Sequence, residues 1–181
     1  MEEFFSNETV KERLIIAGLT ELETHGVSDF SLRRVASLCN VSCAAPYKHF
    51  ENKERFISEI LNFVDNQWLI LYNQIMEIFE SDKKRQLLEV CIAFVRFCSG
   101  NTHFRSVFMM NIEKNIGKLN ITECISDLAD KYFVAIDESN RKQKVFKINS
   151  IVLGAVAMSS DNTDMNNGIL KNLKGILEQE L

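Results

Sequence analysis

Tyr47, Lys48 and His49 are consecutive and offer a phenol hydroxyl, an ammonium and an imidazole, three groups suited to donating hydrogen bonds to phosphate oxygens. Directly before them, Cys43, Ala44 and Ala45 are small enough to let a backbone approach base edges, and an alanine methyl can touch the methyl of thymine. Upstream, Arg33 and Arg34 follow Ser31 at what reads as the exposed start of a helix, where arginines and free backbone N–H groups both suit phosphate. The chemistry on offer is recognition of a polyanion.

Such groups need a rigid mount, and Ser31 to Lys53 reads as one. Ser31 is a good N-cap for a short helix whose Leu32, Val35 and Ala36 face inward. Only Cys39-Asn40-Val41 separates it from the next helical pattern, a corner short enough for a helix-turn-helix. Asn40 suits a corner that needs positive φ, and Val41 plugs the angle. Ser42 reads as the N-cap of the third helix, and Pro46, tolerated only near a helix start, keeps that helix short. Phe50 closes the unit as a core anchor.

Before this unit, Asn7 or Thr9 caps a first helix with Val10, Leu14, Ala17, Gly18 and Leu22 inward, and Gly26 stops it. After it, Asn52 caps a helix expected from Lys53 to about Glu80, roughly 40 Å long at 1.5 Å per residue. Its apolar positions recur along its whole length, so it is packed throughout and can transmit movement. Further helices are expected from Asp82 to Gly100, a short one capped by Thr102, then about 122–139, 141–160 and 168–181, with a break over 117–120 and a polar loop over 161–167. Arg141-Lys142-Gln143-Lys144 reads as the solvated start of a helix.

With 181 residues, 46% hydrophobic, the chain can bury a real core, and seven glycines and one proline leave few strand signals. An all-α fold follows. The acidic start lacks a signal-peptide pattern, and the most apolar run, Ile151 to Met158, falls short of the roughly 18 residues of a membrane span, so a cytoplasmic protein is expected. Five cysteines without a Cys-x-x-Cys pair read as reduced thiols. The net charge of −4 opposes polyanion binding, but between Ser31 and Arg55 the cations Arg33, Arg34, Lys48, Lys53 and Arg55 outnumber Glu51 and Glu54. Binding is therefore expected to be modest and salt-sensitive.

Gly26, Ser31, the run Ala36 to Ser42 and Tyr47-Lys48-His49-Phe50-Glu51-Asn52-Lys53 together resemble the N-terminal region of the TetR family of bacterial transcriptional regulators. That region carries a glycine-ended first helix, a Ser/Thr-capped second, Ala-x-x-x-Gly-Val-Ser, and Tyr-x-His-Phe-x-x-Lys. Asn40 stands at the corner glycine. The resemblance covers the first third of the chain; the remainder matches in layout.

The resemblance implies groove contacts from Cys43, Ala44 and Ala45, and phosphate contacts from Arg33, Ser42, Tyr47, Lys48, His49 and Lys53. It implies a three-helix DNA-binding head over 1–52 and a ligand-binding and dimerisation domain over 53–181. It also implies a homodimer on operator DNA, acting as a repressor released by a small apolar or amphipathic effector bound beside the long helix. The expected pocket lining is Trp68, Tyr72, Cys91, Phe94, Phe97, Cys98, Phe104 and Phe108, a set most of whose members read first as plain core and some as both. The last two helices are expected to form the dimer bundle through Ile148, Val152, Ala155, Val156, Ile169, Leu173 and Ile176.

No catalytic motif stands out, and the three histidines are scattered, so no enzyme and no cofactor are expected. Cys91, Cys98, His103 and Cys124 lack any tight ligand pair, so no metal is assigned. Cys43 reads as a small tolerated residue rather than a redox switch. The rival readings are a helical protein-interaction module that retains only the shape of the head, and a DNA-binding regulator without an effector.

Overall fold

A computed structural model describes residues 9–114, 120–160 and 162–181. The described residues form helices α1 (Val10–His25), α2 (Leu32–Leu38), α3 (Ala45–Phe50), α4 (Lys53–Ile78), α5 (Lys83–Ser99), α6 (Thr102–Lys114), α7 (Asn120–Tyr132), α8 (Glu138–Met158) and α9 (Thr163–Glu180). The fold is all-helical, as the composition and periodicity require.

The caps explain most boundaries. Thr9 and Glu12 form a reciprocal capping box at the start of α1, and Gly26 ends that helix with φ 68°, a left-handed angle that favours glycine. Asn52, Asp82, Asp137 and Asn162 each accept a backbone N–H three residues on, opening α4, α5, α8 and α9. Two expectations shift for the same reason. The helix expected to run to residue 139 ends at Tyr132, because Asp137 starts a new one. The polar stretch expected as a loop is helical from Thr163, since a cap and an exposed first turn are polar by nature. Asn101, rather than Thr102, accepts the N–H of Phe104 at 3.1 Å and so caps the start of α6. The expected break over 117–120 lies outside the described residues except at Asn120, which is helical.

α4 belongs to two cores. Its first turns bury Phe56, Ile57, Ile60 and Leu61 against the head, and its middle buries Val64 and Trp68 against the body. In the head the rings of Phe50 and Phe56 stack at 4.0 Å with 5° between planes, and Phe30 meets Phe56 edge-on at 5.6 Å. Gly18 lets α1 come this close: a Cβ there would sit 2.7 Å from Ile60 Cδ1 and 3.1 Å from the Phe56 ring.

α5 is the axis of the body. It buries residues on almost every side, from Gln86 to Cys98, and packs against α4, α6, α7, α8 and α9. Trp68 is fully buried between Phe94 at 5.2 Å and Phe97 at 5.7 Å, and Phe94 in turn meets Phe108 at 5.0 Å. α6 reaches back to touch α1, so the body is joined to the head by two helices and not by α4 alone. No helix among the described residues is long and apolar enough to cross a membrane.

Candidate nucleic-acid interface

The head presents α3 on a frame made by its own inward residues. Pro46 and Phe50, four residues apart, are buried, which turns Ala44, Tyr47 and Lys48 outward. Tyr47 is 57% exposed. The corner between α2 and α3 takes the shape its sequence asks for: Asn40 has φ 53°, and Val41 N–H closes it by donating to Ala36 O at 3.0 Å. The sequence places the cap of α3 at Ser42. In the structure a turn, with Ala45 N–H donating to Ser42 O at 2.9 Å, precedes a six-residue helix whose N-cap, Ala44, makes no side-chain cap bond. Ser42, Cys43 and Ala44 are therefore exposed on a turn leading into the helix.

The basic residues divide by what holds them. Glu21 is almost wholly buried, with 2% of its side chain accessible, and accepts from Ser31 N–H at 2.9 Å and Arg34 Nε at 2.8 Å. Its other oxygen lies 3.2 Å from His25 Nδ1. Arg34 also reaches the Asp29 carbonyl, and the hydrogen bond to Glu21 holds its guanidinium above the ordinary range. Arg34 is thus a strut of the α1–α2 joint although its side chain stays partly accessible, and Arg33, its neighbour in sequence, is exposed as well. Periodicity treats the two alike, the resemblance singled out Arg33, and the buried Glu21 supplies the physical difference between them. Lys53 donates to Ser28 O at 3.1 Å, tying the start of α4 to the loop before α2. Its ammonium retains two further donors.

His49 lies apart from Tyr47 and Lys48, in a polar groove with Lys11, Glu51, Arg55 and Glu59, where Lys11 pairs with Glu59 at 2.8 Å. The structure brings Ser42, Cys43, Ala44, Tyr47 and Lys48 onto one exposed end, with Ala45 half-buried behind them.

In the body, a cavity of about 360 Å³ opens between α5, α6, α7 and α8, lined by Phe94, Phe108, Ile112, Ile125, Ser126, Asn149, Val152 and Leu153. Of the residues expected to line a pocket, Phe94 and Phe108 border this one. Trp68, Cys91 and Cys98 are closed into the core, and Tyr72, Phe97 and Phe104 are half-buried around it. Burial pushes the Cys91 and Cys98 thiols up to about 12, which leaves both protonated and inert. Among the described residues no group of histidine, cysteine and carboxylate side chains could hold a metal ion. Ser126 and Asn149 were not among the residues expected to line a pocket; Asn149 and Ser150 together separate Ile148 from Ile151, and nothing in the sequence says which of the two faces inward.

Ile148, Val152, Ala155, Val156 and Leu173, expected at a dimer interface, face the chain's own core. Side chains with no surface left cannot meet a second copy. Ile169 is half-buried and Ile176 exposed. The exposed large apolar residues on the same two helices are Phe146, Met158, Met165 and Ile176.

A short-turned three-helix head on a helical body is the architecture of helix-turn-helix regulators, and the whole chain has the fold of the TetR family of transcriptional regulators. It superposes on a TetR-family regulator from Legionella pneumophila with a TM-score of 0.72 at 15% identity, over 97% of this chain and 99% of that one. For the TetR-family regulator PfmR of Thermus thermophilus the TM-score is 0.70 at 15% identity, over 97% of each chain. For the transcriptional regulator FadR of Bacillus subtilis, solved with stearoyl-CoA, it is 0.68 at 13% identity, over 93% of this chain and 98% of that one. No protein-family model and no curated protein matches the sequence.

The corner angle at Asn40 sets an expected outcome. Asn40→Gly should leave stability within about 1 kcal/mol, whereas Asn40→Val, β-branched in a left-handed position, should cost roughly 1–3 kcal/mol. Urea denaturation followed by circular dichroism measures both, and equal midpoints for the two variants would contradict the assigned backbone geometry.

Proposed function

We propose that the protein is a DNA-binding transcriptional regulator that acts as a dimeric repressor and is released from its operator by a small ligand. The observation that carries the reading is the outward face of α3, where Tyr47 and Lys48 stand exposed on a helix fixed from behind by Pro46 and Phe50. Small residues lead that helix, so its turn can enter the major groove while Tyr47, Lys48, Ser42 and Arg33 hold phosphates. Lys53 and His49 contribute at the margin, Lys53 chiefly by fixing the loop at Ser28. The head has few side chains able to read bases by paired hydrogen bonds, so operator choice leans on DNA shape. A protein-interaction module would leave these phosphate-suited donors without a purpose.

Fluorescence anisotropy with the DNA upstream of the protein's own gene tests this. Tyr47→Ala and Lys48→Ala should each weaken binding by about tenfold, and Lys48→Ala should also lower the slope of log K against log salt by about 1. Parent-like affinity in both variants would remove α3 from the interface.

Two heads enter successive major grooves only when held roughly 34 Å apart, which calls for a dimer. Its face is taken to be the exposed side of α8 and α9. Phe146, Ser150, Gly154 and Met158 recur every fourth residue on α8, and Met165, Gly168, Asn172 and Ile176 follow on α9. Phe146 is 74%, Met158 59% and Ile176 44% exposed. A Cβ at Gly154, Gly168 or Gly175 would meet nothing, so a second pair of helices has room to approach closely and complete a four-helix bundle. Met158→Glu and Ile176→Glu should each sediment as a monomer; a dimer in both would place the interface elsewhere.

The route from ligand to head runs along α6 in this reading. At one end His103 and Ser106 both engage Glu23 of α1, with Ser106 Oγ donating to Glu23 Oε1 at 3.2 Å. At the other end Phe108 and Ile112 line the cavity. A ligand that shifts α6 therefore pulls on the first helix of the head. The required bias is on the order of 1 to 3 kcal/mol of differential affinity between the two head positions. The double variant His103→Ala, Ser106→Ala tests the link. An effector found by thermal-shift screening should still bind it but no longer change its DNA affinity, and an unchanged response would take α6 out of the route.

A further inference from the structure

The polar corner of the body cavity is built with a defined sense. Asn149 Nδ2 donates to Ser126 Oγ at 2.9 Å and to Val145 O at 3.0 Å. A backbone carbonyl can only accept, so the contact with Val145 requires the amide nitrogen on that side and fixes which way the side chain is turned. Both amide hydrogens are then engaged, and Oδ1 is left as an acceptor. Ser126, accepting through its oxygen, keeps a hydroxyl hydrogen that is able to turn and donate. The corner therefore offers one acceptor and one donor, on α8 and α7, set among Phe94, Phe108, Ile125 and Val152.

We propose that this cavity takes a small neutral amphipathic molecule whose polar end is a hydroxyl or a carboxamide, groups that donate and accept at once. The hydroxyl hydrogen of such a ligand goes to Asn149 Oδ1 and its oxygen accepts from Ser126. A carboxylate of the same length meets Asn149 Oδ1 with a second acceptor and gains only the Ser126 donor, in surroundings where an under-paired charge is costly. At about 360 Å³ the space lies near the lower end of ordinary ligand cavities, roughly 300–1,000 Å³, which suits a medium-length apolar body. The inference deepens the ligand-release reading above and names the class of effector for it.

The full chain is titrated by calorimetry, without DNA, with 1-octanol, octanamide and octanoate at about pH 7.5, well above the ordinary carboxylate range, so that only the head group changes. Octanol and octanamide should bind at least about tenfold more tightly than octanoate. Ser126→Ala and Asn149→Leu should each weaken octanol by about three- to tenfold. Ser126→Ala removes a single oxygen and serves if Asn149→Leu does not fold. Octanoate binding as well as octanol, octanol binding unchanged in Ser126→Ala, or no binding by any of the three overturns the proposal. Because these titrations contain no DNA, their failure is distinct from a failure of the regulator reading, which shows instead as loss of DNA binding by the unliganded chain.

Discussion

Phe56 stacks face to face on Phe50 and receives the edge of Phe30, and it sits in the first turns of α4. One side chain thus fixes the end of α3, the loop before α2 and the start of the long helix at a single point. Gly18 on α1 is the counterpart of that contact, since any Cβ there would press on Phe56 and Ile60. Remove either feature and α3 loses its fixed orientation relative to α4. Tyr47 and Lys48 are presented outward in a fixed orientation because Phe50, two residues beyond Lys48, is held so firmly.

Electrostatics follows the same division between holding and presenting. Glu21 is a buried carboxylate supplied with an arginine, a backbone N–H and a histidine, and it removes Arg34 from the set of uncommitted cations. Lys53 is likewise turned towards the Ser28 carbonyl. If the proposed function holds, an acidic chain with a small basic face tolerates this, because rigidly placed donors to phosphate fix a register that net charge does not. The body repeats the pattern around α5, where Trp68, Phe94 and Phe97 pack into one aromatic block and leave the cavity beside them, bordered by α6.

Residues with a local cause were legible in the chain. Thr9, Ser31, Asn52 and Asp82 cap helices as their types and positions require, Gly26 ends one, and Asn40 takes the positive φ that its place in a three-residue corner demands. Capping and turn chemistry depend on neighbours three or four residues away, so a sequence carries most of it, although the caps at Asn101, Asp137 and Asn162 went unread. The same holds for the long helix, whose apolar spacing set its end within a turn of Ile78. The cap at Ser42 did not follow, because a turn intervenes before Ala45 and the hydroxyl is left facing outward.

What a helix buries, and against which neighbour, is decided at long range. Ile148, Val152, Ala155, Val156 and Leu173 have the pattern of an interface, but an apolar stripe reads the same whether it packs against its own core or a second copy. Only the packing around α5 made them core and left Phe146, Met158 and Ile176 outside. The resemblance gave a phosphate contact to Arg33 and not to Arg34; the physical reason, Glu21 on another helix holding Arg34, came only with the fold. Asn149 carried no role in the sequence; Ser126 of α7, brought within 2.9 Å of it, makes the two a polar corner. The order of residues alone was enough for the all-helical fold, for most of the caps and for the corner at Asn40. Which faces stayed free was left to the folded chain, because burial and charge pairing are properties of contacts between segments far apart in the sequence.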